Sequence, residues 1–297
     1  MADLRELVAE ELSAPVDARV SAMAAAIAAE HGAASRAVLF YGSCLREKRL
    51  EGLMLDFYLI VSDYRSAYGK RWLATANRLI PPNVFNFEHG GLRAKYAVLS
   101  EDNLRRECDV SARTPSVFAR FSQPSRLVWT ADAQAKEMAF DAVSRAAPAL
   151  LELTRPTMAD TEARDVLDIW KRAFELTFGA EIRAERSSRA AAIIDSDRAR
   201  YRRFAEAAGF PRDLQLNEEQ RKIYLNVWRQ FRRRGKRASV ARLAKASLTF
   251  AGGAEYIAWK INRHAGTDIQ LTPWQQRHPL LAAIRLLPRL LKSGAVR

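Results

Sequence analysis

The sequence predicts an α+β fold: an N-terminal unit built on a small mixed sheet, then a mainly helical region, then a basic amphipathic tail. Three observations predict it. Up to about Leu150, short apolar runs alternate with helical stretches and read as strands and helices in turn. From Met158 to Arg237 the strand signal disappears and helical periodicity takes over. Between Glu219 and Glu255 there are then ten Lys/Arg residues and no acid. The divisions fall at 1–152, 153–238 and 239–297. The 297 residues suffice for two modest cores. A net charge of +14 calls for a polyanionic partner: nucleic acid, an anionic membrane surface or a phosphate-bearing substrate.

Taken in order, the segment Ala2 to Leu12 is acidic and amphipathic, and Val20 to Ala29 is a short alanine-rich helix. Ala37 to Tyr41 is an apolar strand, and Leu45 to Leu50 has the long charged residues of a helix. Leu53 to Val61 is a second strand. Ser66 to Leu79 reads as one helix, ended by Pro81-Pro82. Asn83 to Glu88 and Leu92 to Leu99 form a hairpin through His89-Gly90-Gly91, where glycine accepts positive φ. Ser100 caps the next helix, with Glu101 and Asp102 in its first turn. Arg126 to Thr130 is a further strand and Ala131 to Leu150 is helical. Gly209-Phe210-Pro211 interrupts the helices that follow.

The chemistry concentrates at Tyr41-Gly42-Ser43 and, thirteen residues after the serine, at Asp56. Gly42 lacks a side chain, so backbone and phosphate approach closely, while Ser43 offers a hydroxyl and an amide at a helix start. A carboxylate inside an apolar strand needs a partner. Asp56 would hold Mg2+ against nucleotide phosphates.

Other classes are disfavoured. Cys44 and Cys108 have no paired spacing, which argues against a disulfide framework or a zinc motif and fits a reducing compartment. His31, His89, His264 and His278 are scattered. The N-terminal segment lacks the basic start and apolar centre of a secretion signal, and no segment approaches the ~18 apolar residues that cross a bilayer.

The tail suits either packing on its own domain or a membrane surface. In Pro279 to Lys292, Leu280, Leu281, Ile284, Leu287 and Leu291 share one helical face, and Arg285, Arg289 and Lys292 lie opposite. Such a helix, with Trp274 and Trp259 at headgroup level, suits an anionic bilayer. The basic zone carries no helix-turn-helix, zinc-finger or RNA-recognition signature, so nucleic acid is not expected.

The order of short motifs resembles the mitochondrial-type phosphatidate cytidylyltransferases, a CDP-diacylglycerol synthase family of the nucleotidyltransferase superfamily. That family's Tyr-Gly-Ser loop and Asp-Phe strand are matched by Tyr41-Gly42-Ser43 and Asp56-Phe57, and its Lys-Tyr-Gly-Val by Lys95-Tyr96-Ala97-Val98. Ala119-Arg120-Phe121-Ser122-Gln123-Pro124 is similar to its Ala-Gly-Arg-Leu-Gln-Lys-Pro. Leu176-Thr177-Phe178-Gly179-Ala180-Glu181-Ile182-Arg183 is similar to its Leu-Ser-Tyr-x-Gly-Asp-x-Arg. Leu248 to Gly253 and the basic-aromatic stretch beyond it resemble the membrane-proximal tail.

The resemblance implies transfer of CMP from CTP to phosphatidate with Mg2+, on the inner, cytoplasmic face of a membrane. It implies Asp56, Lys95 and Glu181 as catalytic residues, with Asp56 and Glu181 on the metal. Tyr41, Gly42, Ser43, Tyr96, Arg120 and Arg183 would bind substrate. One departure stands out. The superfamily places two acids one residue apart on the second strand, whereas Met54 and Tyr58 flank Asp56 here. Glu181 is the first candidate for the second carboxylate and Glu88 the second. A soluble or RNA acceptor, and an inactive binding module on the same fold, remain alternatives.

Overall fold

The computed structural model describes residues 3–47, 49–159, 161–163, 165–181, 189–210, 216–249 and 272. Two helices open the chain, α1 (Leu4–Ser13) and α2 (Ala18–Ala29), capped by the Asp3 and Asp17 carboxylates. Strand β1 (Ser35–Tyr41) leads through Gly42 into α3 (Ser43–Glu47), and β2 (Met54–Val61) follows. The α3 helix is shorter and earlier than the sequence suggests.

The helix expected over 66–79 is two helices, α4 (Tyr64–Ala67) and α5 (Arg71–Leu79). Asp63 starts the first by accepting hydrogen bonds from the Arg65 and Ser66 amides, and Gly69, a poor helix former, sits in the break. Strands β3 (Asn83–His89) and β4 (Leu92–Ser100) form the hairpin, and Ser100 caps α6 (Glu101–Glu107). Then come α7 (Ser116–Phe121) and β5 (Ser125–Thr130). The long helix expected over 131–150 also divides, into α8 (Ala133–Ser144) and α9 (Ala146–Thr154). Pro148 is the cause, since its ring would clash with the Ser144 carbonyl in a continuous helix. Helices α10 (Val166–Ala180), α11 (Arg189–Asp195), α12 (Arg198–Ala207) and α13 (Glu218–Thr249) complete the described chain. Residue 238, where the sequence reading divides helical region from tail, lies inside α13.

The five strands form one mixed sheet in the order β3-β4-β2-β1-β5, with β2 parallel to β4 and every other pair antiparallel. Alternation along each strand sorts side chains onto two faces. Val38, Phe40, Leu55, Phe57, Leu59, Tyr96 and Val98 pack with α2 on one face. Leu39, Tyr58, Ile60, Ala97 and Leu99 pack on the other, within an apolar cluster that extends to Trp170, Tyr201 and Phe231 of the helical region. Gly235 of α13 lies against α10, where an added methyl would overlap the Ala180 carbonyl oxygen. Among the described residues no single helix is long and apolar enough to cross a membrane.

Candidate functional site

Strand register builds the site. Tyr41 on β1 is the direct partner of Asp56 on β2, and Asp56 is the direct partner of Lys95 on β4. Paired residues project to the same face, so Tyr41, Asp56 and Lys95 form a row on the face that carries Leu39 and Tyr58 and meets Phe121 of α7. Lys95 Nζ lies 3.0 Å from Asp56 Oδ1, with both side chains partly buried.

Gly42 occupies the turn above this row with φ +101°, a conformation that side chains resist. A Cβ there would stand 2.8 Å from Asp56 Oδ2. The missing side chain thus makes room for the Asp56 carboxylate, a role the sequence reading gave to an approaching phosphate. Ser43 follows as the first residue of α3, which has only five residues. So short a helix contributes little field at its start. Side-chain cations must supply most of the attraction for an anion.

Arg120 and Glu181 arrive from α7 and from the end of α10. Arg120 Nη1 donates to the Ser116 carbonyl at 2.7 Å and lies 3.6 Å from Glu181 Oε1. Ser116 Oγ donates to the same Glu181 oxygen. Burial pushes the Arg120 guanidinium down, but Tyr58, Glu181, Tyr41 and Asp56 outweigh it and hold its pKa above the usual value. Arg120 is therefore the element that links the Asp56 row with Glu181. Tyr41 and Tyr58 pack with tilted rings, centroids 5.2 Å apart, and Phe121 of α7 closes on Tyr58 at 5.3 Å.

Arg242 of α13 joins from the side. Its Nε donates to the Pro81 carbonyl at 2.8 Å. Burial pushes this guanidinium's pKa down, and Arg120 opposes its charge as well. Lys245, one turn on, is buried and donates to the carbonyls of Ile80 and, at 2.9 Å, Pro82. Sequence reasoning missed both. The only signal was their membership of an acid-free run, which cannot say which basic residues turn inward.

Tyr96 falls elsewhere. It is buried on the opposite face, its ring tilted against Phe85 and its hydroxyl 3.2 Å from His31 Nε2. His31 Nδ1 sits 2.9 Å from the Ala67 carbonyl, so that nitrogen carries the proton and Nε2 accepts from Tyr96. Neighbouring strand residues project oppositely, so Lys95 and Tyr96 cannot share one site. Glu88 pairs with Arg93 at 3.0 Å near the exposed end of the hairpin. Arg183, the segment 279–292, Trp259 and Trp274 lie outside the described residues.

Mg2+ is poorly served by this donor set. Asp56 and Glu181 each face a cation, and Met54 and Tyr58 supply no further carboxylate beside Asp56. Among the described residues no three His, Cys, Asp or Glu side chains come together as a metal site. The residues do not fit a resident Mg2+.

A recess of about 10 Å³ beside Arg120 and Glu181 is lined also by Ser116, Ala119, Gln123, Thr177 and Phe178, room for about one water. A cleft of about 390 Å³ lies apart from it, between the turn at Thr157–Met158 and the face of α10 bearing Asp168, Lys171 and Glu175. It shares no residue with the row at Asp56, and its charges of both signs give it no convergent chemistry.

No family model matches the chain, and no curated protein matches it. Among solved structures it is similar to a nucleotidyltransferase-like protein from Exiguobacterium sibiricum, over 93% of this chain and 92% of that one, at 10% identity and a TM-score of 0.29. A similarity of that size carries no argument about activity.

Proposed function

We propose that the protein binds nucleotide phosphates at the Gly42–Ser43 turn and transfers a nucleotidyl group, with CTP as donor and phosphatidate as acceptor. The observation that supports phosphate binding is the convergence of Ser43, Lys95 and Arg120 around the Tyr41–Asp56 row at one end of the sheet. The choice of CTP and phosphatidate rests on the sequence resemblance.

The chemistry asks mainly for position and charge neutralisation. A phosphatidate oxygen is already anionic, so it attacks the α-phosphorus without needing a general base. A bond forms from that oxygen to the α-phosphorus, the bond to the bridging oxygen breaks, and pyrophosphate leaves with the electron pair. Lys95 and Arg120 offset the charge that develops on the leaving group, and the Ser43 hydroxyl donates to a phosphate oxygen. Asp56 holds the Lys95 ammonium beneath the turn. The recess at Arg120 is too small for a nucleoside, so ribose and base would lie over the outer side of the turn.

One observation favours a second reading, a nucleotide-binding site without transfer. Asp56 is already neutralised by Lys95, and no acid stands beside it on β2. Labelled CTP, offered as its magnesium salt with phosphatidate in mixed micelles, separates the two. Transfer predicts CDP-diacylglycerol from the wild type and a loss of at least tenfold in Asp56→Ala and Arg120→Met. Retention of CTP on a filter without product supports the second reading. Neither binding nor product would sink both.

A further inference from the structure

The outward face of α5 carries two parallel stripes. Trp72 and Leu79 are 48% and 72% exposed, and a spacing of seven residues, about two turns, sets them on one line. Arg71 and Arg78 keep the same spacing one position back and are exposed beside them. The inward face is committed to the fold: Asn77 donates to the Val98 carbonyl at 2.9 Å and accepts from the Asn83 amide. Thr75, between the stripes, returns its hydroxyl to the Arg71 carbonyl at 3.2 Å.

Charge along this stretch of the chain has one sign. From Tyr64 to Phe87 the chain has Arg65, Lys70, Arg71 and Arg78 and no acid. Asp63, the acid just before, is occupied in capping α4, accepting from the Arg65 and Ser66 amides at 2.8 and 3.0 Å. The end of α13 is fastened behind this face, where Arg242 and Lys245 donate inward to the carbonyls of Ile80, Pro81 and Pro82 directly after α5.

We propose that this face of α5 is a docking surface for an anionic lipid bilayer. Trp72 and Leu79 enter the boundary between headgroups and acyl chains, where an amphipathic indole and an aliphatic side chain are both favoured. Arg71 and Arg78 pair with lipid phosphates, since guanidinium binds phosphate in two-pronged fashion. Leu79 decides against nucleic acid, for a leucine this exposed gains nothing from a phosphodiester backbone, whereas it is buried on insertion. The proposal rests on the reading of a lipid acceptor, and it brings membrane contact to residues far in sequence from the basic tail.

The test is sedimentation of the full chain with phosphatidylcholine vesicles, with and without phosphatidylglycerol. It is run on the wild type, Trp72→Ser/Leu79→Ser and Arg71→Gln/Arg78→Gln, with CTP binding measured in lipid-free buffer alongside. The wild type should partition onto the anionic vesicles and weakly onto the neutral ones. Each double variant should lower that partition on the order of tenfold, with CTP binding unchanged. Wild-type failure to sediment, or variants that sediment like wild type, overturns the surface. So does loss of single-stranded oligonucleotide binding in the variants with vesicle binding intact. CTP binding without vesicle binding sinks only this proposal, and vesicle binding through α5 without CTP binding sinks only the proposed site.

Discussion

Lys95 Nζ lies 3.0 Å from Asp56 Oδ1, and the two residues are direct partners across the parallel strands β2 and β4. The carboxylate that a strand would otherwise leave uncompensated in an apolar layer is matched by a cation from its neighbour. Arg120 and Arg242 add positive charge on the Tyr58 side of this pair, and Glu181 offsets part of it.

Removing either member of the pair should have opposite effects on ligand binding. Asp56→Asn frees the ammonium and should raise affinity for inorganic pyrophosphate several-fold while lowering any transfer. Lys95→Met should weaken pyrophosphate binding by about tenfold, the scale of one charged contact. A double-mutant cycle on stability should give a coupling of about 1 kcal/mol or less, since both side chains are partly solvated. Calorimetry of the nucleotide-free protein with Mg2+ should show no binding tighter than millimolar.

Gly42→Ala should cost about 1–3 kcal/mol in denaturant unfolding and abolish nucleotide binding. Its φ is +101° and its Cβ would press on Asp56 Oδ2 at 2.8 Å. Gly52→Ala is the control. Gly52 also has positive φ, but nothing lies within 4 Å of its Cβ position. It should show the backbone cost alone and keep nucleotide binding.

Arg120→Met should reduce CTP affinity at least tenfold, measured by equilibrium dialysis. Glu181→Gln removes the charge that Arg120 faces while keeping an acceptor for Ser116. It should leave binding within about threefold, because the neighbouring carboxylate and phenols still hold Arg120 charged.

Gly235→Ala should destabilise the protein by about 1–3 kcal/mol, the usual cost of forcing a methyl into a packed contact. The Ala180 carbonyl blocks the space, so α13 must move away from α10. Arg242 and Lys245, farther along α13, should then exchange backbone contacts for solvent. Faster exchange of the Asn83 amide, the first after the Pro81–Pro82 pair, would report it.

Lys245 makes stability depend on alkaline pH. Burial first, and Arg242 second, depress its pKa from 10.5 to about 8. Below about pH 8 the ammonium is protonated in both folded and unfolded chains and its burial cost is fully present. Between about 8 and 10.5 the unfolded chain binds more protons, so stability contributed by this group rises with pH. The unfolding free energy of wild type minus that of Lys245→Met should climb by on the order of 2–3 kcal/mol across that window. A flat or falling difference would contradict the burial.

Local signals carried much of the architecture. The strand at Tyr41, the Asp56 strand and the Gly90–Gly91 hairpin were legible because period-two apolarity and turn glycines act over a few residues. Two long helices were overestimated, at Gly69 and Pro148, where a single weak or clashing residue outweighs the periodicity around it. The row Tyr41–Asp56–Lys95 combined motifs that the sequence named separately, but their contact depends on register between strands that are distant in the chain.

Residue chemistry alone was enough to single out Tyr41-Gly42-Ser43 and Asp56 as separate motifs and to place a mixed sheet before a helical region. Packing settled the rest. It put Tyr96 on the far face, paired Asp56 with a lysine instead of a second acid, and turned Arg242 and Lys245 inward from a run of ten look-alike cations. Those outcomes depend on which residues lie opposite one another once strands pair and helices dock. A linear sequence specifies such contacts only through the free energy of the whole fold.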